Sequence, residues 1–264
     1  MKKNNEYIRR QKREKRKITI YQIVVFISFV ILWEFCSRFN ILDEFLFSKP
    51  SSIIKLIVSY VQSNELFHHI GISVLETILG LIIGTTIGLL IAIILWWFDT
   101  LARILDPFLI VLNALPKTAL APILIIWAGT GIKGIVVVAM SISLILTIIT
   151  AYFDFKQVEI EKIKMLKSFK ATKYQILTKL VLPSNYPKLI SIIKINIGLT
   201  WVGVIVGEFL VSRAGIGYLI VYGSQVFKMD LVMMGVIILA VIAFLMYEII
   251  NILENKFKRK RGIK

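Results

Sequence analysis

Residues 72–97 read ISVLETILGLIIGTTIGLLIAIILWW, a run whose one ionisable side chain is Glu76. At a 1.5 Å rise per residue, such a run crosses a hydrocarbon core of roughly 30 Å with some tilt. Lipid offers no partner for backbone N–H and C=O groups, so the run is expected to be helical. The alternation of a membrane β-barrel is absent. Gly80, Gly84 and Gly88 recur at four-residue spacing. They fall on one helix face, where another helix can approach closely; a hinge is the alternative reading. Glu76, at the start of the run, is expected at the membrane interface.

Outward from this run, the chain divides into apolar spans of about 18–36, 72–97, 104–127, 134–153, 189–211 and 231–252, the third interrupted by prolines. The 264 residues are 57% hydrophobic, above the range of about 45–50% for soluble domains, with a mean hydropathy of +0.80. The fold class expected is all-α, a polytopic membrane protein with six transmembrane helices. The first span keeps its basic flank and has no small-residue cleavage site after it, so it is read as retained rather than removed. Cys36 is alone, which excludes an intrachain disulfide, and is expected to be a small lipid- or helix-facing residue.

The net charge of +16 invites a nucleic-acid reading, which its distribution opposes. Of 32 Lys and Arg, 23 lie in three blocks, Met1–Lys17, Asp154–Lys188 and Asn251–Lys264, beside or between spans. Concentrated Lys/Arg marks cytoplasmic segments. Six spans put both termini on one side, and the third block falls on that same side. The expected organisation is a basic cytoplasmic tail 1–17, a transmembrane domain 18–252 with a cytoplasmic loop 154–188, and a basic cytoplasmic tail 253–264. On the other side lies 37–71, with a turn at Pro50-Ser51-Ser52 and an interfacial helix over 53–67. His68 and His69 follow it. Adjacent positions on a helix point about 100° apart, so no metal site is expected.

The loop is the most informative polar segment. Ile163, Leu166 and Phe169, then Tyr174, Leu177, Leu180 and Val181, recur at helical spacing among good helix formers. Two short helices are expected, ended by Pro183 and Pro187 before the fifth span. A basic amphipathic pair of this kind suits anionic lipid or the groove of a cytoplasmic partner.

The loop resembles the coupling loop of binding-protein-dependent ABC importer permeases, whose signature is Glu-Ala-Ala, three residues, Gly, nine residues, then Ile-x-Leu-Pro. Leu180-Val181-Leu182-Pro183 matches the tail. The head departs: Lys164, Met165 and Leu166 stand at the Glu-Ala-Ala positions and Lys170 at the glycine. Other segments resemble the nitrate/sulfonate/taurine branch of these permeases. They are Pro50-Ser51-Ser52, Leu115–Pro122 continuing to Ile126–Gly131, Gly198–Trp201 with Val206–Phe209, and Ala214–Ile220. The resemblance covers nearly the whole chain after Lys17 and implies the type I ABC importer permease (MetI-like) fold in a bacterial inner membrane. It implies a pair of permeases (a homodimer or two paired chains), two cytoplasmic ATPase subunits and an extracytoplasmic binding protein or lipoprotein. The cargo it implies is a small anion such as a nitrate, sulfonate or taurine, or a vitamin precursor. ATP and Mg would be held by the ATPase. Met165, Leu166, Phe169 and Ala171 would be its apolar contacts in the coupling loop. Lys164, Lys167 and Lys170 would be polar contacts or solvated charge, and Pro183 would close the motif.

This chain has no Walker A pattern: Gly129–Gly134 lacks the Gly-Lys-Ser/Thr ending that cradles phosphate. No cofactor and no catalytic group are expected in it. Ionisable residues inside spans are functional candidates by default. Lys117 lies between Pro116 and Pro122, facing either an anionic solute or loose backbone carbonyls. Lys194, Trp201 and Glu208, seven residues apart, form one stripe. The two charges are about 21 Å apart along the axis and cannot pair. They are candidates for the translocation pathway, or else a snorkelling lysine and an interfacial acid. An ion-gradient-driven transporter or channel is the competing function, but it predicts inverted repeats with matched broken helices. A membrane enzyme needs a catalytic cluster at one depth. The sequence supplies neither.

Overall fold

The computed structural model describes residues 2–260, and the described residues are helical with no strand. Met1 and residues 261–264 of the basic C-terminal tail lie outside them. Helix α1 spans Lys2–Arg38, so the N-terminal basic block runs into the first apolar span without a break. A short α2 (Glu44–Phe47) and α3 (Pro50–Gln62) lead to the long α4 (Glu65–Trp97). The expected interfacial helix over 53–67 is divided here. Asn64 takes the left-handed conformation (φ 61°), and α4 starts at Glu65, so His68 and His69 belong to α4.

The third span is broken. Helix α5 (Asp99–Ala114) ends before Pro116, and a short 3₁₀ turn, Lys117–Leu120, feeds α6 (Ala121–Ala128). The two pieces are bent by 88°. Helix α7 (Ile132–Lys156) follows, then α8 (Ile160–Ser168) and α9 (Lys173–Ile176). A π-helical turn, Leu177–Val181, joins α9 to α10 (Leu182–Val211), and α11 (Ile216–Gln225) and α12 (Met229–Lys260) complete the chain. Among the described residues, five helices are long and apolar enough to cross a membrane, or six segments if the bent pair counts as one.

Pro183 and Pro187 do not end the loop helix as expected. Pro183 occupies the first turn of α10 and Pro187 lies within it. A proline clashes with the carbonyl four residues back. The π turn just before Pro183 widens the backbone, with the Leu182 N–H bonded to the Leu177 carbonyl. Side chains take up neighbouring carbonyls: Ser184 Oγ donates to Leu180 O at 2.6 Å and Asn185 Nδ2 to Val181 O at 2.9 Å.

Helices α4, α7 and α10 form the centre of the bundle, with α7 gripped between the other two. The glycine stripe of α4 lies on α7. A Cβ at Gly84 would stand 2.8 Å from the Met140 carbonyl oxygen, so only glycine permits this approach. The stripe is a packing face. Helix α1 is the exception among the spans, its apolar window having no buried residue.

Candidate functional site

Two regions at opposite ends of the bundle carry the polar chemistry. The first is the α8–α9 loop. Ile163, Leu166 and Ala171 turn inward onto a core of Leu95, Tyr152 and Phe155 at the ends of α4 and α7, with Ile176 of α9 and Val181 of the π turn. Met165 and Phe169 point away and are 54% and 75% exposed. Lys164, Lys167 and Lys170 are exposed. Met165, Leu166, Phe169 and Ala171 are all expected from the sequence as apolar contacts to an ATPase; the structure divides them into two anchors and two free side chains.

The loop is held stiffly. Helix α8 closes with bonds from Lys170 N to Lys167 O and from Ala171 N to Leu166 O, the Schellman pattern. That pattern places its C′ residue in the left-handed region, and Lys170 has φ 57°. This is the position at which the coupling signature has glycine. Thr172 and Gln175 form a reciprocal capping box at the start of α9. Lys173 Nζ donates to Trp97 O at 2.5 Å and lies over the Trp96 and Trp97 rings. Lys188 pairs with Asp154 at 2.9 Å.

The second region is the opposite end, where α11 begins. Glu208 is fully buried. Ser73 Oγ donates to its Oε1 at 2.5 Å, and the Gly217 and Tyr218 N–H groups donate to its Oε2 at 2.5 and 3.3 Å. The carboxylate thus caps the N-terminus of α11, where orphan N–H groups and the helix dipole favour negative charge. The Ile216 N–H donates to Ser73 Oγ at 2.7 Å, and the Gly215 N–H to His69 Nδ1 at 2.9 Å. Glu76, expected at the interface, is buried completely one turn along α4 from Ser73 and against Glu208. Its burial follows from the Ser73, Glu76, Thr77 and Gly80 spacing, which puts four polar or small residues on one face.

The remaining candidates are placed apart. Trp201 is buried among residues of α3, α11 and α12. Lys194 pairs with Glu254 of α12 and donates to Asn251 Oδ1 at 2.8 Å. Lys194, Trp201 and Glu208 therefore each tie α10 to its own neighbours. Lys117 Nζ donates to the Asn113 carbonyl at 2.9 Å, one of those left open where α5 ends. Sequence reading missed a polar cluster at the centre of the bundle. There Asn196 Nδ2 donates to Thr147 Oγ1 at 2.7 Å and to Thr85 Oγ1 at 3.0 Å, joining α10, α7 and α4. The signal was available as one Asn and two Thr inside apolar runs, which glue helices by hydrogen bonds in lipid.

A broken third span, a braced loop between α7 and α10 and a bundle of apolar helices define a polytopic transport subunit. The family model of the binding-protein-dependent transport system inner membrane component matches residues 84–259, and the chain belongs to that family of ABC importer permeases. It is 25% identical over 262 residues to a putative aliphatic sulfonates transport permease protein of Bacillus subtilis, covering 99% of this chain and 95% of that protein. It is 26% identical over 230 residues to a formylaminopyrimidine transport permease protein of Halalkalibacterium halodurans, covering 87% and 91%. In fold it matches a chain of a bacterial alginate ABC transporter solved with a periplasmic protein bound to an alginate pentasaccharide. The TM-score is 0.62 at 15% identity, covering 95% of this chain and 96% of that one. The fold is accordingly that of a type I importer permease, and the protein is a multi-pass membrane permease.

Proposed function

We propose that this chain works as one of a pair of permeases driven by two cytoplasmic ATPase subunits, with the α8–α9 loop as the contact. The observation that carries the reading is the division of the loop into inward anchors, Leu166 and Ala171, and free apolar side chains, Met165 and Phe169. A lever must be fixed at its base and open at its tip. The Schellman closure and the capping box fix the base. Lys164 and Lys170 flank the tip as polar contacts or solvated charge, and Pro183 sits where the loop passes into α10. ATP and Mg belong to the ATPase subunits in this reading, and the chain itself performs no catalysis.

The loop and both termini face the cytoplasm on the strength of the three basic blocks. An extracytoplasmic binding protein then delivers the solute at the α11 end. The varied cargo named for the relatives supports a small anion such as a sulfonate, or a vitamin precursor. Of the pathway candidates, Lys117 at the bend is partly exposed and, among the described residues, bonded only within its own turn. Lys194 is partly exposed but held by Glu254 and Asn251, and Trp201 and Glu208 are buried and hold the walls together.

The test is to express the tagged chain with its genomic neighbours and measure ATPase activity in lipid, with and without the binding protein. Co-purification of an ATPase whose activity rises with loaded binding protein supports the proposal. A chain that purifies alone and transports on an ion gradient overturns it.

A further inference from the structure

Glu76 is the one buried acid among the described residues whose carboxyl oxygens are left without a hydrogen-bond donor. Neither of its carboxyl oxygens has a donor from the backbone, a hydroxyl or a base, and the residue is fully buried. Its neighbour is Glu208. Glu208 already accepts from Ser73, Gly217 and Tyr218, which suits a carboxylate. Two ionised carboxyls cannot share a buried site without a cation or a proton between them.

The surroundings decide which. Arg213, on the loop after α10, and the turn Thr130-Gly131-Ile132 leading into α7 line an open cleft of about 550 Å³ that reaches Glu76. Arg213 is exposed, as is Lys133 at the start of α7. His69 of α4 is turned to the Gly215 N–H and stacks on Tyr218 of α11. Arg213 shares the cleft with Glu76, but among the described residues no basic side chain pairs with Glu76 or Glu208. A metal ion needs more oxygen donors than two carboxyls, one of them already accepting three hydrogen bonds, can supply, and no group of three His, Cys, Asp or Glu side chains placed to hold one occurs among the described residues.

We propose that Glu76 and Glu208 form a proton-binding site: Glu76 keeps the proton and its O–H donates a hydrogen bond to the Glu208 carboxylate, fastening α4 to α10 and α11. This inference does not depend on the ATPase reading above. When the cleft widens and water reaches Glu76, its O–H gives the proton to water, the two carboxylates repel, and the α11 end is released. The site is thus a latch whose closed form holds one proton more than its open form.

The test uses the full chain in lipid nanodiscs, with infrared spectra at neutral pH and thermal unfolding across a pH series. The expected spectrum contains the carbonyl stretch of a buried carboxylic acid, absent from Glu76→Gln and retained in the exposed control Glu65→Gln. The amide copies the neutral acid as a donor, so Glu76→Gln is expected to fold. The wild-type unfolding temperature should drop as rising pH removes the proton, and this step should vanish in Glu76→Gln. Should that variant not fold, the wild-type spectrum decides alone. Absence of the acid band at neutral pH, a pH profile unchanged by Glu76→Gln, or stabilisation that follows sodium instead of pH would each overturn the proposal.

Discussion

The two ends of the bundle handle charge in opposite ways. At the loop end, lysines are many and exposed, Lys173 and Lys188 among them being tied to other elements, and the packing is done by Leu166, Ala171, Ile176 and Val181. At the α11 end, two acids, Glu76 and Glu208, are buried beneath exposed charges such as Lys133 and Arg213, and Glu208 is held by a hydroxyl and two backbone N–H groups. The contrast teaches where each end is vulnerable. A buried carboxylate fixed by short bonds fails when any partner moves, because the group has no water to fall back on. A surface lysine gives way at little cost.

The largest effect should come from Gly215→Ala. Gly215 has φ 116°, a region used almost only by glycine, and an added Cβ would overlap the Glu208 carboxyl. Backbone strain there is worth about 1–3 kcal/mol and overpacking a similar amount. The apparent unfolding temperature in lipid should fall sharply, and assembly with it. A variant of wild-type stability would show that the Glu208 network is slack, and the contrast between the ends would collapse.

Ser73→Ala comes next. It removes the hydroxyl that accepts from Ile216 and donates to Glu208, leaving two buried groups a partner short. A loss of about 1–3 kcal/mol is expected, visible as a lower unfolding temperature with the far loop unaffected in hydrogen exchange. Equal loosening of both ends would mean that they are not separate.

These ends were not equally legible. The loop announced itself through density: eight basic residues with apolar positions at helical spacing cannot be membrane core, so its helices and exposure followed from pattern. Its joint with α10 did not follow, because a π turn that accommodates Pro183 leaves no mark in hydropathy. The bend at Lys117 was visible in Pro116 and Pro122. The α11 end was the hard case. A lone Glu near a span end reads equally as an interfacial residue or a buried one. Only the partner on another helix, Ser73 for Glu208 and Glu208 for Glu76, settles it, and such pairing across 135 residues has no local signature.

Lys170→Gly is a smaller change in the opposite direction. Lys170 holds a left-handed backbone, which costs a residue with a side chain about 1–2 kcal/mol. Glycine removes that strain but gains freedom in the unfolded chain, so the net stabilisation should be below about 1 kcal/mol. A modest rise in unfolding temperature, with the loop better protected in hydrogen exchange, is expected. A fall would mean that the Lys170 side chain holds the turn through a contact of its own.

The smallest change in stability belongs to Met165→Ala with Phe169→Ala. Both side chains are mostly exposed and add little to the core, so stability should stay within about 0.5 kcal/mol of wild type. Binding should behave differently, since exposed apolar side chains on a braced loop are what a partner's cleft would bury. ATPase co-purification, or its stimulation by the binding protein, should be lost while the chain folds as before. Lys164→Ala is the companion measurement: a solvated lysine leaves coupling intact, whereas one in contact with the ATPase weakens it. If the double variant unfolds, Met165 and Phe169 are part of the core, and the lever has no free tip. If it folds and still couples, the contact lies elsewhere on the loop, and exposed Tyr174 on α9 is the next residue to change.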